Sequence, residues 1–211
     1  MTLKEKALFA VDALEGLYPE AICSLDHEGD PYKLLVMAVL SAQCTDERVN
    51  AVSVELFKRF PTPLSIAESK EGELEKYIYT VGLYNSKAKA LREACRRIVE
   101  VYGGEIPSGM DDLLSLRGVG RKVANLLRGD IYGLGGIVAD THCIRISVRL
   151  GLCTKKDPLT VERELTPLIP TEKQSGFCHR IVMFGREYCK AKNPSCEICP
   201  LKELCDENQK Y

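Results

Sequence analysis

The chain has 211 residues, enough to bury a full core, and its 45% hydrophobic and 28% charged residues are ordinary for a soluble globular protein. The formal net charge is only −1, so overall charge gives no support for nucleic-acid binding and any basic footprint must be local. Tryptophan is absent and good helix formers are frequent, so the composition favours helices.

No segment has the character of a targeting signal or a membrane anchor. The N-terminal residues mix charged and apolar side chains, and the longest apolar run, 34–40, is too short to cross a bilayer. We therefore expect a soluble intracellular protein that contacts no membrane, cytoplasmic and nucleoid-associated if the source is prokaryotic. In such a compartment, ten cysteines favour metal binding over a disulfide framework.

Hydrophobic periodicity and capping residues predict helices in most of the chain. The first runs from residue 2 to 17, and a nearly all-apolar core helix runs from Tyr32 to Gln43. Thr45 is a suitable N-cap for a third helix, which ends at Phe60 before two prolines. Further helices are predicted at 71–81, 87–102, 158–168 and 173–188, with two short ones inside 109–132.

The stretch 109–132 is the most informative part of the sequence. Two amphipathic runs flank a Gly-x-Gly turn, which predicts two helices joined by a tight hairpin. Backbone N–H groups at such a turn, beside the N-terminus of the second helix, can bind a phosphate without a side chain. The residues expected to make this contact are Arg117, Gly118, Val119, Gly120 and Arg121.

An amine and a carboxylate follow this predicted phosphate anchor. Lys122 comes directly after the turn, and Asp140 comes after a glycine-rich connection at 133–136. From the residues alone, Lys122 can be a second phosphate-binding cation, and Asp140 can be a plain N-cap. The alternation of apolar and polar residues at 141–150 favours a strand on period alone.

Four cysteines near the C-terminus form a metal-ligand pattern. Cys189, Cys196, Cys199 and Cys205 are spaced C-x6-C-x2-C-x5-C, in a proline-interrupted segment too irregular for a strand or a long helix. A bound metal or cluster would replace the hydrophobic core that this tail lacks. The spacing alone is compatible with tetrahedral zinc and with a [4Fe–4S] cluster.

These motifs together resemble one known family. Residues 116–124 are similar to the hairpin of helix-hairpin-helix DNA glycosylases, and 138–142 resemble the Val-Asp-Thr-His segment that follows it. Lys122 resembles the endonuclease III branch, whose hairpin reads Leu-Pro-Gly-Val-Gly-Arg-Lys, although Arg117 stands where that family usually has proline. The cysteine spacing also resembles the endonuclease III cluster motif at every gap.

The resemblance, which extends from about residue 34 to 204, implies an all-α, two-domain helix-hairpin-helix glycosylase fold. A six-helix barrel domain at 25–135 would carry Lys122, and an iron–sulfur helical domain at 1–24 and 136–211 would carry Asp140. The resemblance also places a helix at 141–150 and implies a [4Fe–4S] cluster on the four cysteines. The active site is then expected at the boundary between the domains.

The resemblance further implies an enzyme of base-excision repair. The expected activity is that of a DNA N-glycosylase with AP lyase activity, which removes oxidised pyrimidines from duplex DNA. Lys122 matches the family's nucleophile, whose Schiff base leads to β-elimination, and Asp140 matches the aspartate that stabilises a cationic sugar. A monofunctional adenine or thymine mismatch glycosylase generally lacks this lysine, which argues against that alternative. A non-catalytic DNA-binding module and a zinc-tailed structural protein are further alternatives.

The expected partner is damaged double-stranded DNA, bound by a monomer. Gln43 matches the family's inserting glutamine, and Leu83 lies on the segment that wedges the duplex from the other side. Lys190 and Lys192 lie in the longest gap between the cluster cysteines. They are candidates for phosphate contacts or else ordinary solvated lysines.

Overall fold

The computed structural model describes residues 1–206, and every regular element in that range is helical. The all-α prediction is therefore confirmed. The α-helices, numbered in chain order, are α1 Leu3–Leu17, α2 Pro31–Leu40, α3 Asp46–Arg59, α4 Pro63–Ala67, α5 Glu75–Ile78, α6 Tyr84–Tyr102, α7 Met110–Leu114, α8 Arg121–Asp130, α9 Thr141–Arg149, α10 Pro158–Leu165 and α11 Thr171–Glu187. Two short 3-10 helices, Cys196–Ile198 and Lys202–Leu204, lie in the cysteine-rich segment.

The chain forms two compact units. The hairpin unit comprises Ser24–Tyr132 and contains α2 to α8, whereas the cysteine unit comprises Met1–Cys23 and the chain from Gly133 onward. Residues 207–211, the end of the predicted iron–sulfur domain, lie outside the described residues. Within 1–206, none of the helices has the length and apolarity that crossing a bilayer requires.

Helix α2 is the central element of the hairpin unit. Asp30 begins it by accepting hydrogen bonds from the backbone N–H groups of Tyr32 and Lys33, and Pro31 provides a preset φ at the first helical position. Every residue of 34–40 is buried, as expected for a helix that is apolar all round. Helices α3, α6 and α8 pack on it, so α2 fixes where their ends lie.

The predicted end of α2 is wrong. The sequence predicts a helix as far as Gln43, but the helix ends at Leu40 and Gln43 adopts a left-handed conformation with φ 56°. The Ser41 hydroxyl donates to the Ala38 carbonyl at 2.9 Å, which satisfies an acceptor at the helix end. Thr45 then accepts from a first-turn N–H of α3, so that predicted N-cap is confirmed.

One other prediction in the hairpin unit is wrong, and one helix of the unit is not predicted. The helix predicted at 71–81 is reduced to α5, because Gly72 has φ +86° and its N–H binds the Glu75 carboxylate. That carboxylate also pairs with Arg92 of α6 at 2.6 Å. The helix that is not predicted is α4. Pro63 is its first residue, the helical position that proline favours.

The segment 141–150 is helical, as the resemblance implied. Asp140 caps α9 by accepting from the Cys143 N–H at 2.7 Å. Cys143 and Ile146 are fully buried at helical spacing, whereas Ile144 is only partly buried. A local cap and a buried helical face therefore outweigh the alternating pattern that favoured a strand.

Helices α1, α9 and α11 form the core of the cysteine unit. Both α1 and α9 pack on α11, whose Phe177 and Phe184 side chains are buried among apolar neighbours. Lys173 of α11 donates to Asp12 at 2.8 Å and to Glu15 at 3.3 Å, and both acceptors lie on α1. These surface ion pairs contribute little, so apolar burial is the main source of stability here.

Candidate functional site

The turn between α7 and α8 has the predicted hairpin geometry. Leu113 and Leu116 are buried beneath it, and the Val119 N–H donates to the Leu116 carbonyl at 3.1 Å. Gly120 is the N-cap of α8, with extended backbone and no side-chain cap. The first N–H groups of a helix have no intrahelical partners, so this end of α8 has the geometry and the dipole that an anion requires.

Gly118 is the position where this turn requires glycine. Its φ is +84°, and a Cβ atom there would lie 3.2 Å from the Cβ atom of Ala90. We expect Gly118→Ala to lower the free energy of unfolding by about 1–2 kcal/mol, measured by denaturant unfolding. Gly16→Ala is the matched control, since Gly16 lies inside α1 and a Cβ atom there meets nothing within 4 Å. Equal stabilities of the two variants would contradict this explanation.

Positive charge is concentrated around the turn. The Arg117 side chain is 71% exposed, and its Nε lies 3.9 Å from the Glu93 carboxylate, at the outer limit of an ion pair. Arg121 begins α8 and is exposed. A depression beside the turn is lined by Glu93, Arg97 and residues 114–119. Cations and backbone donors thus lie on the surface where the sequence predicts phosphate contacts.

Lys122 is the second residue of α8, and its side chain is exposed. Ala124 and Leu127 are fully buried, which fixes the rotation of α8 about its axis. An exposed primary amine thus follows directly after a turn suited to phosphate. An amine in this place can act on the sugar of a nucleotide whose phosphate the turn binds.

The connection that leads to Asp140 is fixed to α11. Gln174 is 3% exposed, and its Oε1 accepts from the Gly136 N–H at 2.9 Å. Gly135 has φ +71°, and a Cβ atom there would lie 2.6 Å from Cγ2 of Thr171. Only glycine permits this close passage, so the path of the chain toward Asp140 is set by α11.

Asp140 is half-buried, and its carboxylate orientation is fixed. Oδ1 accepts from the Cys143 N–H at 2.7 Å, a short distance typical of a charge-assisted bond. The N-cap interpretation of Asp140 is therefore confirmed. The cap uses only one of the two carboxylate oxygens, so the other oxygen can still take part in chemistry.

Two arginines of α9 hold the start of the cysteine-rich loop. Arg145 donates to the Cys189 carbonyl at 3.1 Å from Nε and at 2.9 Å from one Nη. Arg149 donates to the Lys190 carbonyl at 2.8 Å and to Sγ of Cys189 at 3.4 Å. Neither arginine is among the residues predicted from the sequence, although their i, i+4 spacing places them on one face of the helix. The helix that Asp140 begins thus also orders the first cysteine.

Three of the four predicted ligand cysteines, Cys189, Cys199 and Cys205, pack against the apolar core of the cysteine unit, and the Cys199 N–H donates to the carbonyl of the fourth, Cys196, at 3.4 Å. The Cys199 thiol is half-buried, and burial raises its pKa, as do the charges of Cys189, Cys205 and Cys196, whereas a hydrogen bond with the Leu201 backbone lowers it. Four thiolates held close together repel one another, and a bound iron–sulfur core would offset this repulsion. Such cores are usually held by cysteine ligands alone. The donor set therefore fits the predicted [4Fe–4S] cluster.

The loop between the first two of these cysteines carries the predicted lysines. Lys190 and Lys192 are both exposed, and Asn193 has φ 51°. The Ser195 N–H donates to the Tyr188 carbonyl at 2.9 Å, which closes the loop. Two ammonium groups thus face solvent, as both interpretations of these lysines require.

Both residues predicted to enter the duplex have left-handed backbone conformations. Gln43 is exposed with φ 56°, and Leu83 is 61% exposed with φ 60°. Leu83 is the N-cap of α6, which begins at Tyr84, earlier than the predicted start at 87. The Gln43 carbonyl oxygen lies 3.5 Å from the position of a Cβ atom on Gly82. The two segments are therefore adjacent within the hairpin unit.

Lys87 is a further residue of this region that is not among those predicted from the sequence. Its side chain is buried in α6, and Nζ donates to the carbonyls of Leu40 and Ala42 at 2.8 and 2.6 Å. Lys87 lies on the buried stripe of α6 with Ala88 and Leu91. A lysine at an apolar position of an amphipathic helix is the signal that could have identified it.

Two family profiles match the chain. Residues 36–171 match the HhH-GPD superfamily of base excision DNA repair proteins, and residues 189–205 match the iron-sulfur binding domain of endonuclease III. The chain is also similar to endonuclease III of Synechocystis sp., with 44% identity over 207 residues. That similarity covers 98% of this chain and 94% of the relative.

Two solved structures are similar along the whole chain. One is a non-covalent endonuclease III–DNA complex, with a TM-score of 0.91 and 41% identity, covering 100% of this chain and 98% of that one. The other is a trapped covalent endonuclease III–DNA intermediate, the estranged-adenine complex, also with a TM-score of 0.91 and 41% identity. It covers 100% of this chain and 99% of that one.

Proposed function

This chain belongs to the endonuclease III family of the HhH-GPD superfamily, and we infer that it is a bifunctional DNA N-glycosylase and AP lyase. It removes oxidised pyrimidines from DNA and then cleaves the strand at the abasic site. The predicted helix-hairpin-helix glycosylase fold is confirmed. The observation that carries the functional conclusion is Lys122, an exposed amine directly after the Gly118–Gly120 turn.

We assign Lys122 as the nucleophile. Its unprotonated amine would attack C1′ of the damaged nucleotide, so that a C1′–N bond forms as the bond to the base breaks and the base leaves with a proton. Opening of the sugar ring then gives a protonated Schiff base, which acidifies a proton on C2′. Loss of that proton expels the 3′ phosphate by β-elimination, and water releases the lysine. One amine thus accounts for both activities.

We assign to Asp140 the role of stabilising the positive charge that develops on the sugar. A carboxylate stabilises an oxocarbenium-like transition state electrostatically, and this effect is largest where water is excluded. The N-cap bond holds Oδ1, and Oδ2 is the oxygen that we assign to the sugar. The same bond keeps the carboxylate oriented before substrate arrives, which reduces the cost of reorganisation.

We assign the DNA contacts to three surfaces. The hairpin turn would bind a phosphate through its backbone N–H groups, with Arg117 and Arg121 beside it. Lys190 and Lys192, exposed on the loop between the first two cluster cysteines, would bind a second phosphate. The segments of Gln43 and Leu83 would fill the space that the extruded nucleotide leaves. Extrusion of a base needs such filling because the duplex loses stacking there.

The protein carries a [4Fe–4S] cluster. We assign its ligands to the four cysteines of the C-terminal segment, namely Cys189, Cys196, Cys199 and Cys205. When bound, the cluster supplies a rigid covalent centre to a segment with few regular hydrogen bonds. Arg145 and Arg149 connect that segment to α9, so the cluster supports the helix that Asp140 begins.

We propose that the protein acts as a monomer on damaged double-stranded DNA, at the nucleoid in the cytoplasm. The endonuclease III–DNA complexes support DNA as the partner, and the bacterial relatives of the chain support the nucleoid as the location. Phosphate contacts from two exposed lysines and two exposed arginines predict binding that weakens as salt concentration rises.

The test of this function uses the parent protein and a duplex that carries one thymine glycol. We expect base release, strand cleavage and, on addition of borohydride, a covalent protein–DNA adduct. Base release without an adduct would show a monofunctional glycosylase, the mismatch-type alternative. Binding without either reaction on several oxidised pyrimidines would favour the non-catalytic DNA-binding module.

A further inference from the structure

Lys87 forms hydrogen bonds with both segments that we propose enter the duplex, the segment of Gln43 and the segment of Leu83. Its Nζ donates to the Leu40 carbonyl at 2.8 Å and to the Ala42 carbonyl at 2.6 Å, at the end of α2 and immediately before Gln43. Its own backbone N–H donates to the Leu83 carbonyl at 3.1 Å. One residue therefore fixes both the peptide beside Gln43 and the peptide of Leu83.

Stability alone does not explain a lysine at this position. Lys87 is 6% exposed, and burial lowers the pKa of its ammonium group, an effect that the charge of Cys44 opposes. A cation near the start of α6 is disfavoured by the dipole of that helix, although the end of α2 favours one. An apolar residue on the buried stripe would avoid the desolvation of a charge. The lysine is explained by the carbonyls that it holds.

The segments that Lys87 holds are strained and close together. Gln43 and Leu83 have φ values of 56° and 60°, in a region that non-glycine residues occupy only when neighbouring groups fix them. The Gln43 carbonyl oxygen lies 3.5 Å from the position of a Cβ atom on Gly82, an ordinary van der Waals distance, so the two segments lie side by side. Both side chains that we assign to the duplex are exposed, whereas the backbone before Gln43 is bound by the buried ammonium group of Lys87 and the Leu83 carbonyl is bound by the backbone N–H of the same residue.

We propose that Lys87 is a positioning residue that holds Gln43 and Leu83 as one rigid two-sided wedge. The inference rests on the proposed function, since it matters only if both side chains enter the duplex. Without the ammonium group, each segment relaxes separately and the two side chains no longer enter in register. Excision from paired DNA then slows, whereas chemistry on a strand with no partner strand to separate does not.

The test compares Lys87→Met with Lys89→Met, which removes an exposed lysine of the same helix. Each variant is assayed on a duplex with one thymine glycol opposite adenine and on a single-stranded oligonucleotide with one abasic site. For Lys87→Met, we expect kcat/KM on the duplex to fall by on the order of 10–100-fold, as for other displaced positioning groups. Cleavage of the single strand stays at the parental rate, and Lys89→Met matches the parent on both substrates.

A double-mutant cycle separates positioning from a general loss of stability. In the parent, Gln43→Ala and Leu83→Ala should affect the duplex rate non-additively, because the two segments share one support. In the Lys87→Met background, their effects should become additive. The cycle is repeated in Lys87→Gln, whose amide can still donate to one carbonyl, so that a folding defect of the methionine variant does not prevent the test.

The outcomes distinguish this inference from the proposed function. Equal duplex rates for the parent and Lys87→Met would overturn the inference and leave the proposed function intact. Additive effects in the parent, or equal losses on duplex and single-stranded substrates, would also overturn it. A parent that releases no base and forms no borohydride adduct would overturn the proposed function and this inference with it.

Discussion

Lys122→Ala forms no borohydride-trapped adduct with an abasic duplex, and its strand-cleavage rate falls by on the order of 10³-fold or more, if Lys122 is the nucleophile. The amine makes the C1′–N bond, so its loss leaves only binding and electrostatic contributions. The fold should persist, because Lys122 is exposed in the first turn of α8 and alanine is the best helix former. Denaturing gels after reduction and single-turnover cleavage measure the two effects.

Lys122→Arg separates the nucleophile from a phosphate-binding cation. A guanidinium group keeps the positive charge but remains protonated, so it offers no lone pair to C1′. We expect DNA affinity close to that of the parent and no adduct. Cleavage at the parental rate by Lys122→Arg would instead identify Lys122 as a second phosphate-binding cation, the alternative that the residues alone allow.

The sequence predicts a helix end correctly where the deciding hydrogen bond is local. Thr45 and Asp140 both cap a helix through an N–H only three residues away, and both predictions are confirmed. The helix predicted at 71–81 is wrong because Gly72 has φ +86° and its N–H binds the Glu75 carboxylate, which a residue outside the segment also binds. Glu75 there binds Arg92, 17 positions away, and this pair lies across two helices. Periodicity within one segment contains no information about such a partner.

The same distinction explains which parts of the candidate site were predictable. The hairpin and the cysteine motif are short patterns, so their spacing and their resemblance to a family are enough to identify them. Lys87 is different, because its acceptors are backbone carbonyls 47 and 45 positions away, and a carbonyl has no side-chain signature. The left-handed conformation of Gln43 likewise depends on the loop around it and not on the residue type.

Asp140→Asn separates the charge of this residue from its role as an N-cap. Asparagine caps as well as aspartate, so we expect the free energy of unfolding to change by less than about 1 kcal/mol. Base release from a thymine glycol duplex should nevertheless fall by on the order of 10²–10⁴-fold, because the amide has no negative charge to stabilise the sugar. Single-turnover glycosylase assays and thermal unfolding measure the two quantities on the same preparation.

Asp157→Asn is the matched control within the cysteine unit. Asp157 caps α10 by accepting from the Thr160 N–H at 2.8 Å, and hydrogen bonds from Thr160 lower the pKa of its carboxyl group. This variant loses the same charge at an equivalent cap and should release base at the parental rate. Parental base release by Asp140→Asn as well would identify Asp140 as a plain N-cap. Because the cap and the charge belong to one side chain, only a substitution that keeps the first and removes the second distinguishes them.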